Sequence, residues 1–398
     1  MKKKRTMYSA KYKALGGVSI VVLIVAIMSL ASCRKEQRII KSTPINVGGG
    51  ESGDIKGFFL LNEGNMGSNK ATIDYYDYAT GIYTKNIFAE RNPEVARELG
   101  DVGNDLQIYG GKLYAVINCS HFVEVMDVHN AKHISQISIP NCRYITFKGK
   151  YAYVSSYAGP VEIDPNARRG YVAKIDTASL EVISTCVVGY QPEEMVVVGD
   201  KLYVANSGGY RVPNYDNTLS VIDLNTFEVV KTIEVAINLH RMELDKYGNI
   251  YVSSRGDYYN IPSSTYVINS ATDNVEGYIE HLPNSEMAIS GDSLYVYSSY
   301  WSYVTNTNTV SYAIYNVKTK RIETRSFITD GTDKEIKTPY GVAVNNKAGE
   351  FFVTDAKDYV TPGKLYCFDL DGKLKWSVTT GDVPAHFAFT TISLQPAN

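Results

Sequence analysis

Apolar residues in this chain gather in short runs that start after a turn and stop on a polar residue. Residues 199–206 are the clearest case: Gly199 and Asp200 form the turn, Leu202, Tyr203, Val204 and Ala205 form the run, and Asn206 ends it. The same arrangement stands at 111–118, 149–156, 248–254, 291–298 and 349–355, with an earlier copy at 55–62. The aligned aromatics are Phe59, Tyr114, Tyr153, Tyr203, Tyr251, Tyr295 and Phe352, spaced 39 to 57 residues apart. Apolar runs of this length between turn residues predict buried strands. Around the clearest copy, 194–198 precedes the run, and 218–223 and 228–235 follow it, which makes four short strands per unit. The third strand recurs at 72–77, 123–127, 172–176, 266–269, 313–316 and 365–369, each time ending on Asp or Asn. Such side chains cap turns by accepting from nearby backbone N–H groups, so these acids read as structural. Four-stranded units at this period predict a β-propeller.

The ends of the pattern predict how the ring closes. The copy at 55–62 has no leading strand before it, while 383–389 repeats the proline and apolar alternation of 191–195. The expected fold is therefore all-β: a seven-bladed propeller over residues 55–398, with the C-terminal strand completing the N-terminal blade. Closure of this kind removes exposed sheet edges. One short loop helix is expected at 92–99.

Residues 1–32 read differently. Lys2, Lys3, Lys4 and Arg5 precede an apolar stretch over 15–30 that is short for a membrane span. Leu30-Ala31-Ser32-Cys33 resembles the bacterial lipoprotein signal, which implies cleavage before Cys33, lipid on that residue and a membrane anchor; an uncleaved N-terminal anchor is the alternative. Residues 33–54, polar and rich in glycine, read as a flexible tether. The net charge of −2 argues against a nucleic-acid surface. The remaining cysteines match no zinc or haem spacing; Cys119 and Cys142 are candidates to pair, with buried thiols as the alternative.

Strands that alternate in direction put the start of each first strand and the end of each second strand on one face. The starts carry Asp105, Tyr144, Glu194, Arg241, Glu286, Tyr340 and His386, which should ring the mouth of the central channel. The loops leaving the second strands carry Asn62, Asn65, Tyr157, Asn206, Tyr210, Arg211, Arg255, Tyr258, Tyr300 and Trp301, along with Tyr215, Tyr259, Tyr303 and Tyr359. Aromatics with amide and guanidinium partners on a rigid scaffold point to ligand binding. Nucleophile, zinc-protease and phosphate-loop motifs are missing from the sequence. His386 across from Glu194, or His240, is the weaker acid–base reading, and Asp105, Glu194 and Glu286 the weaker metal reading. Neither a metal nor a cofactor is expected.

The motif at 201–207 together with 219–226 resembles the YncE-like seven-bladed propellers. The opening at 59–65 and the lipoprotein signal are similar to a branch of Bacteroidota lipoproteins that includes surface proteins capturing cobalamin. That resemblance implies a corrinoid (vitamin B12) bound on one face of the ring, as ligand rather than cofactor. It further implies a TonB-dependent outer-membrane transporter as partner and a lipid-anchored place on the outer membrane at the cell surface. Residues 34–37 contain a single acid where surface export in that phylum follows an acidic stretch, so the periplasmic side is the alternative. Two other classes stay open: an envelope scaffold for a protein partner, and a lyase- or lactonase-type enzyme.

Overall fold

The computed structural model describes residues 44–95, 98–302 and 307–395. The signal segment, Cys33, the first part of the tether and Tyr303 lie outside the described residues. The described chain forms seven antiparallel sheets. Six are four-stranded blades built from consecutive strands: blade 2 (residues 103–138), blade 3 (142–187), blade 4 (192–234), blade 5 (239–279), blade 6 (286–324) and blade 7 (339–382). Blade 1 combines Gly57–Asn62, Thr72–Asp77 and Ile82–Thr84 with Pro384–Thr390 on its inner side. The first strand of each blade touches the first strands of its two neighbours, and Pro384–Thr390 meets both Gly103–Tyr109 and Pro339–Asn345. The ring is closed by the C-terminal strand, as the pattern predicts.

The repeated aromatic explains why the hallmark run recurs. Each one lies in an apolar cluster shared with the next blade: Tyr203 with Leu239 and Val252, Tyr251 with Leu294 and Val296, Phe352 with Leu60 and Phe58. Phe59, Tyr114, Tyr153 and Tyr295 do the same at the other junctions. All seven are buried. A blade thus buries its face only against a neighbour, so every blade must carry the residue. The third-strand acids serve as turn caps: Asp176 accepts from the amides of Ala178 and Ser179, and Asp223 from those of Asn225 and Thr226.

Two expectations need correction, and the open question of Cys119 and Cys142 is answered by free thiols. Residues 44–54 are not free tether: Pro44–Asn46 pairs with Ile82–Thr84 as a fifth strand of blade 1. Val47 and Gly50 donate to the carbonyls of Gly81 and Tyr78, and the Tyr76 hydroxyl donates to Gly48 O at 2.7 Å. The approach is so close that a Cβ on Gly81 would stand 2.3 Å from the Gly48 backbone. This strand covers an edge that would otherwise present unpaired backbone groups. The short helix is Ile87–Arg91, ahead of its expected place, because Ile87, Phe88 and Ala89 are the residues with a core to enter. Asn92 ends it, its amide nitrogen reaching the carbonyls of Phe88 and Ala131. Cys119 and Cys142 are unpaired thiols: Cys142 faces the carbonyls of Ile117 and Phe122, and Cys119 faces the Asn118 side chain.

Candidate functional site

The first strands line the channel, and a kink at their start sets what faces it. Val102, Asn141, Gln191, Asn238 and Val383 all hold positive φ immediately ahead of or at the start of these strands. Each offers its carbonyl to the amide that leaves the second strand of the same blade: Asn118, Tyr157, Ser207, Arg255 and Glu63 respectively. For Val102 and Val383, which are β-branched, that conformation is strained and is held by this hydrogen bond and the surrounding packing. Register shifts follow within the first strands of blades 1, 2, 3, 4 and 5, and the first strand of blade 7 has one as well. Their consequence is that two consecutive residues per blade matter. One enters the channel; the one before it meets a neighbouring blade in blades 3 and 4, where Arg143 reaches Glu193, and lines the cleft in blade 5, where it is His240.

Arg241 is at the centre of the channel-facing set. Its Nη2 lies 2.6 Å from Glu286, its Nη1 lies 3.9 Å from Glu194, and Nη1 donates to the Tyr144 hydroxyl at 3.0 Å. Glu194 also accepts from the Met242 amide at 2.6 Å, and Asp105 accepts from the amides of Leu106 and Ile145. His386 Nε2 lies 3.0 Å from Glu63, whose other oxygen accepts from the Tyr340 hydroxyl at 2.7 Å. All seven predicted channel residues therefore take part in polar contacts at this mouth. Burial is the main force that pushes Asp105, Glu194, Glu243 and Glu286 above the usual carboxylate range, with mutual repulsion adding to it at Glu194, Glu243 and Glu286. Burial opposes the charge on Arg241, but Glu286 foremost, then Tyr144 and Glu194, keep the guanidinium firmly protonated.

These raised carboxylates have a consequence for stability. The folded chain keeps protons that the unfolded chain has released; for Glu194, pushed up to about 8, the contribution is full below the ordinary range near pH 4.5 and lost as pH rises toward 8. A Glu194→Gln variant, which keeps an acceptor for the Met242 amide, is expected to melt a few degrees above the parent at pH 8. The two should converge near pH 4.5. Thermal unfolding across that interval checks this, and a pH-independent difference would contradict it.

The inter-blade set is the part that sequence reasoning missed. Glu193, 0 % exposed, accepts from Arg143 Nε and Nη2 at 3.1 and 3.0 Å, from the Tyr157 hydroxyl at 2.5 Å and from Arg255 Nη1 at 3.3 Å. It thereby joins blades 3, 4 and 5. The two guanidiniums, Arg143 before Arg255, overcome burial and hold Glu193 below its ordinary range. His240 Nε2 lies 2.9 Å from the Tyr144 hydroxyl. The available signal was the pairing of chemistry-bearing neighbours, Arg143-Tyr144, Glu193-Glu194 and His240-Arg241, at each strand start.

Above these groups a cleft of about 350 Å³ opens between the loops of blades 5, 6 and 7. Of the predicted residues, Arg241, Arg255, Tyr258, Glu286, Tyr300, Trp301 and Tyr340 line it, together with His240 and Tyr359. Tyr258, Trp301 and Tyr359 are 39 %, 45 % and 45 % exposed, so the rim is aromatic while the floor is charged. Asn65 stands at the rim, where its side-chain amide donates to the Tyr359 carbonyl at 3.1 Å.

Other predicted residues do not reach the cleft. Asn62 and Asn206 are fully buried: Asn62 donates to the Thr72 hydroxyl, and Asn206 to those of Thr218 and Ser220. They latch the second strand to the third and have no free face for a ligand. Tyr157 is buried on Glu193, with Tyr210 edge-on against it at 6.2 Å. Arg211 lies 3.6 Å over the Tyr190 ring, in a separate depression near Arg169 and Tyr215. Among the described residues no group of three or more His, Cys, Asp or Glu side chains is placed to hold a metal ion.

A family model described as a domain of unknown function, DUF5074, matches residues 56–392. The chain belongs to that family. The match runs from the first blade to the closing strand, so the DUF5074 unit here is the whole propeller. No curated protein matches the chain. Among solved structures, a functionally unknown protein from Desulfotomaculum acetoxidans superposes with a TM-score of 0.58 at 10 % identity, over 85 % of this chain and 100 % of that one. A quinoprotein alcohol dehydrogenase-like protein from Bacteroides thetaiotaomicron gives 0.55 at 17 %, over 84 % and 78 %. A hydrazine synthase from Kuenenia stuttgartiensis gives 0.53 at 16 %, over 68 % and 77 %. Likeness at this level of identity is likeness of fold.

Proposed function

We propose that this DUF5074 propeller captures a small organic ligand at the cleft between blades 5, 6 and 7. The observation that carries the reading is the combination of exposed Tyr258, Trp301 and Tyr359 above a floor of fixed charges. Rigid aromatics provide contact area at low entropic cost, and convergent polar groups orient what lies on them. The ligand we name is a corrinoid, a broad and flattish molecule edged with amides. A cleft of about 350 Å³ is too small to enclose it, so it would lie across the rim and insert one edge group. In this reading the protein is an outer-membrane lipoprotein, anchored through Cys33, that passes the ligand to a TonB-dependent transporter. One topological fact supports the arrangement. Pro44 pairs with Thr84 and Asn46 with Ile82, and Ile82–Thr84 runs toward the cleft face. The described chain therefore enters the propeller from the side that carries the cleft.

Titration of protein lacking residues 1–33 with cyanocobalamin should shift the corrinoid spectrum and raise the melting temperature at micromolar ligand. A Trp301→Ala variant should bind at least ten-fold more weakly, the loss expected for an aromatic anchor of about 2 kcal/mol. No spectral or thermal response in the parent protein removes the corrinoid from consideration.

A further inference from the structure

The floor of the cleft contains a hydrogen-bond relay whose direction follows from donor chemistry. Arg241 Nη1 lies 3.0 Å from the Tyr144 hydroxyl, and a guanidinium can only donate. The Tyr144 hydroxyl must then send its own proton elsewhere, and His240 Nε2, at 2.9 Å, is the acceptor in reach. His240 therefore carries its proton on Nδ1. Among the described residues no protein group accepts from that N–H, and the ring lines the cleft. Burial first, then Arg255, Arg241 and Arg143, holds the imidazole well below its ordinary range, so it is a neutral donor.

Beside it lies unbalanced positive charge. Arg143 takes one oxygen of Glu193 through two bonds, while Arg255 reaches the other oxygen through Nη1 alone, at 3.3 Å. Two guanidiniums on one carboxylate leave a net charge of one, and Arg255 is the member of the pair that lines the cleft. The carboxylate on the opposite wall, Glu286, is already bound to Arg241 at 2.6 Å.

We propose that Arg255 and the Nδ1–H of His240 form a subsite for an anionic oxygen group, a carboxylate or a phosphate, carried by a flat organic body that rests on Tyr258 and Trp301. The inference rests on the ligand-capture reading and narrows it to a class of ligand. A guanidinium with unengaged N–H groups gives charge-assisted bonds, and the neutral imidazole adds a second donor without a second charge to desolvate.

The chain contains two tryptophans. Trp301 stands at the rim, whereas Trp376 packs against Tyr76 and Phe352. Trp301 emission therefore reports occupancy. The full chain in detergent is titrated with benzoate, phenyl phosphate and benzamide, which share a ring and differ in charge. At least one anion is expected to bind about ten-fold more tightly than benzamide, and the better of the two identifies the group. Arg255→Gln and His240→Phe, each verified as folded by its melting transition, should bring the anion within two-fold of benzamide. If Arg255→Gln fails to fold because Glu193 loses a partner, His240→Phe decides alone. Equal binding of all three probes, or an unchanged preference in His240→Phe, overturns the subsite. Preference for the anion without cyanocobalamin binding keeps the subsite and removes the corrinoid; cyanocobalamin binding without anion preference does the reverse.

Discussion

Truncation after Val383 is expected to abolish cooperative folding. The deletion removes Pro384–Thr390, the inner strand of blade 1, and with it the contacts this strand makes with the first strands of both neighbouring blades. It exposes the edge of Gly57–Asn62, a strand with every residue buried. It also strips Phe387 and Phe389 from Phe58, which lies within 6.4 Å, ring centre to ring centre, of Tyr76, Tyr78, Phe352, Phe387 and Phe389. An unpaired apolar strand edge of this kind pairs with other chains. The truncated protein should lack a single thermal transition and should elute as aggregate in size-exclusion chromatography. Phe58→Ala is the graded form of the same test: a side chain with 0 % exposure in that cluster should cost about 3–5 kcal/mol without opening the ring. A truncated protein that melts like the parent would show that the velcro strand is dispensable.

Replacement of Glu193 is expected to have the next largest effect. In Glu193→Ala, Arg143 and Arg255 lose their shared carboxylate while Arg143 remains 13 % exposed and Arg255 24 %. Breaking a buried pair from one side typically costs about 3–5 kcal/mol, because the stranded charge is more costly than the pair was favourable. The denaturant midpoint should fall accordingly with an unchanged slope. Glu193→Ala combined with Arg143→Ala should recover part of the loss, since the stranded charge goes with it. The pH dependence has the opposite sign to that of Glu194. Glu193 is held below its ordinary range, so its contribution is present above that range and lost as pH falls through the lower folded value. Glu193→Gln should therefore be less acid-sensitive than the parent. A loss under about 1 kcal/mol in Glu193→Ala would show that the junction of blades 3, 4 and 5 does not depend on the carboxylate.

How far the chain can be read without its structure depends on the distance over which each feature is decided. The hallmark run, its flanking turns and the third-strand caps are local, with all their determinants inside a few residues. Tyr203, Asp223 and their counterparts therefore have both place and role legible in the sequence. The closing strand was legible because 383–389 repeats a pattern seen elsewhere in the chain. The short helix was misplaced because polar 92–99 resembles a loop helix, whereas the core accepts Ile87 and Phe88. Asn62 and Asn206 look exposed in the sequence because each is a polar residue at a strand end; their bonds to Thr72 and Thr218 come from the neighbouring strand.

By itself the sequence determined the architecture: a repeated apolar run, a recurrent aromatic and turn chemistry leave a closed seven-bladed ring as the arrangement that buries every face. It also marked Arg241, Arg255, Trp301 and the other channel and rim positions as a set. What only the tertiary structure decided is which of two adjacent residues serves which purpose. The positive-φ kink and register shift at the start of the first strands send Glu194 into the channel and Glu193 between blades, and likewise separate Arg241 from His240. Glu193 finds Arg143 fifty residues before it and Arg255 sixty-two after it. Pairings at that separation depend on ring geometry rather than on any local pattern, so the charged floor of the cleft emerged only when the blades were closed upon one another.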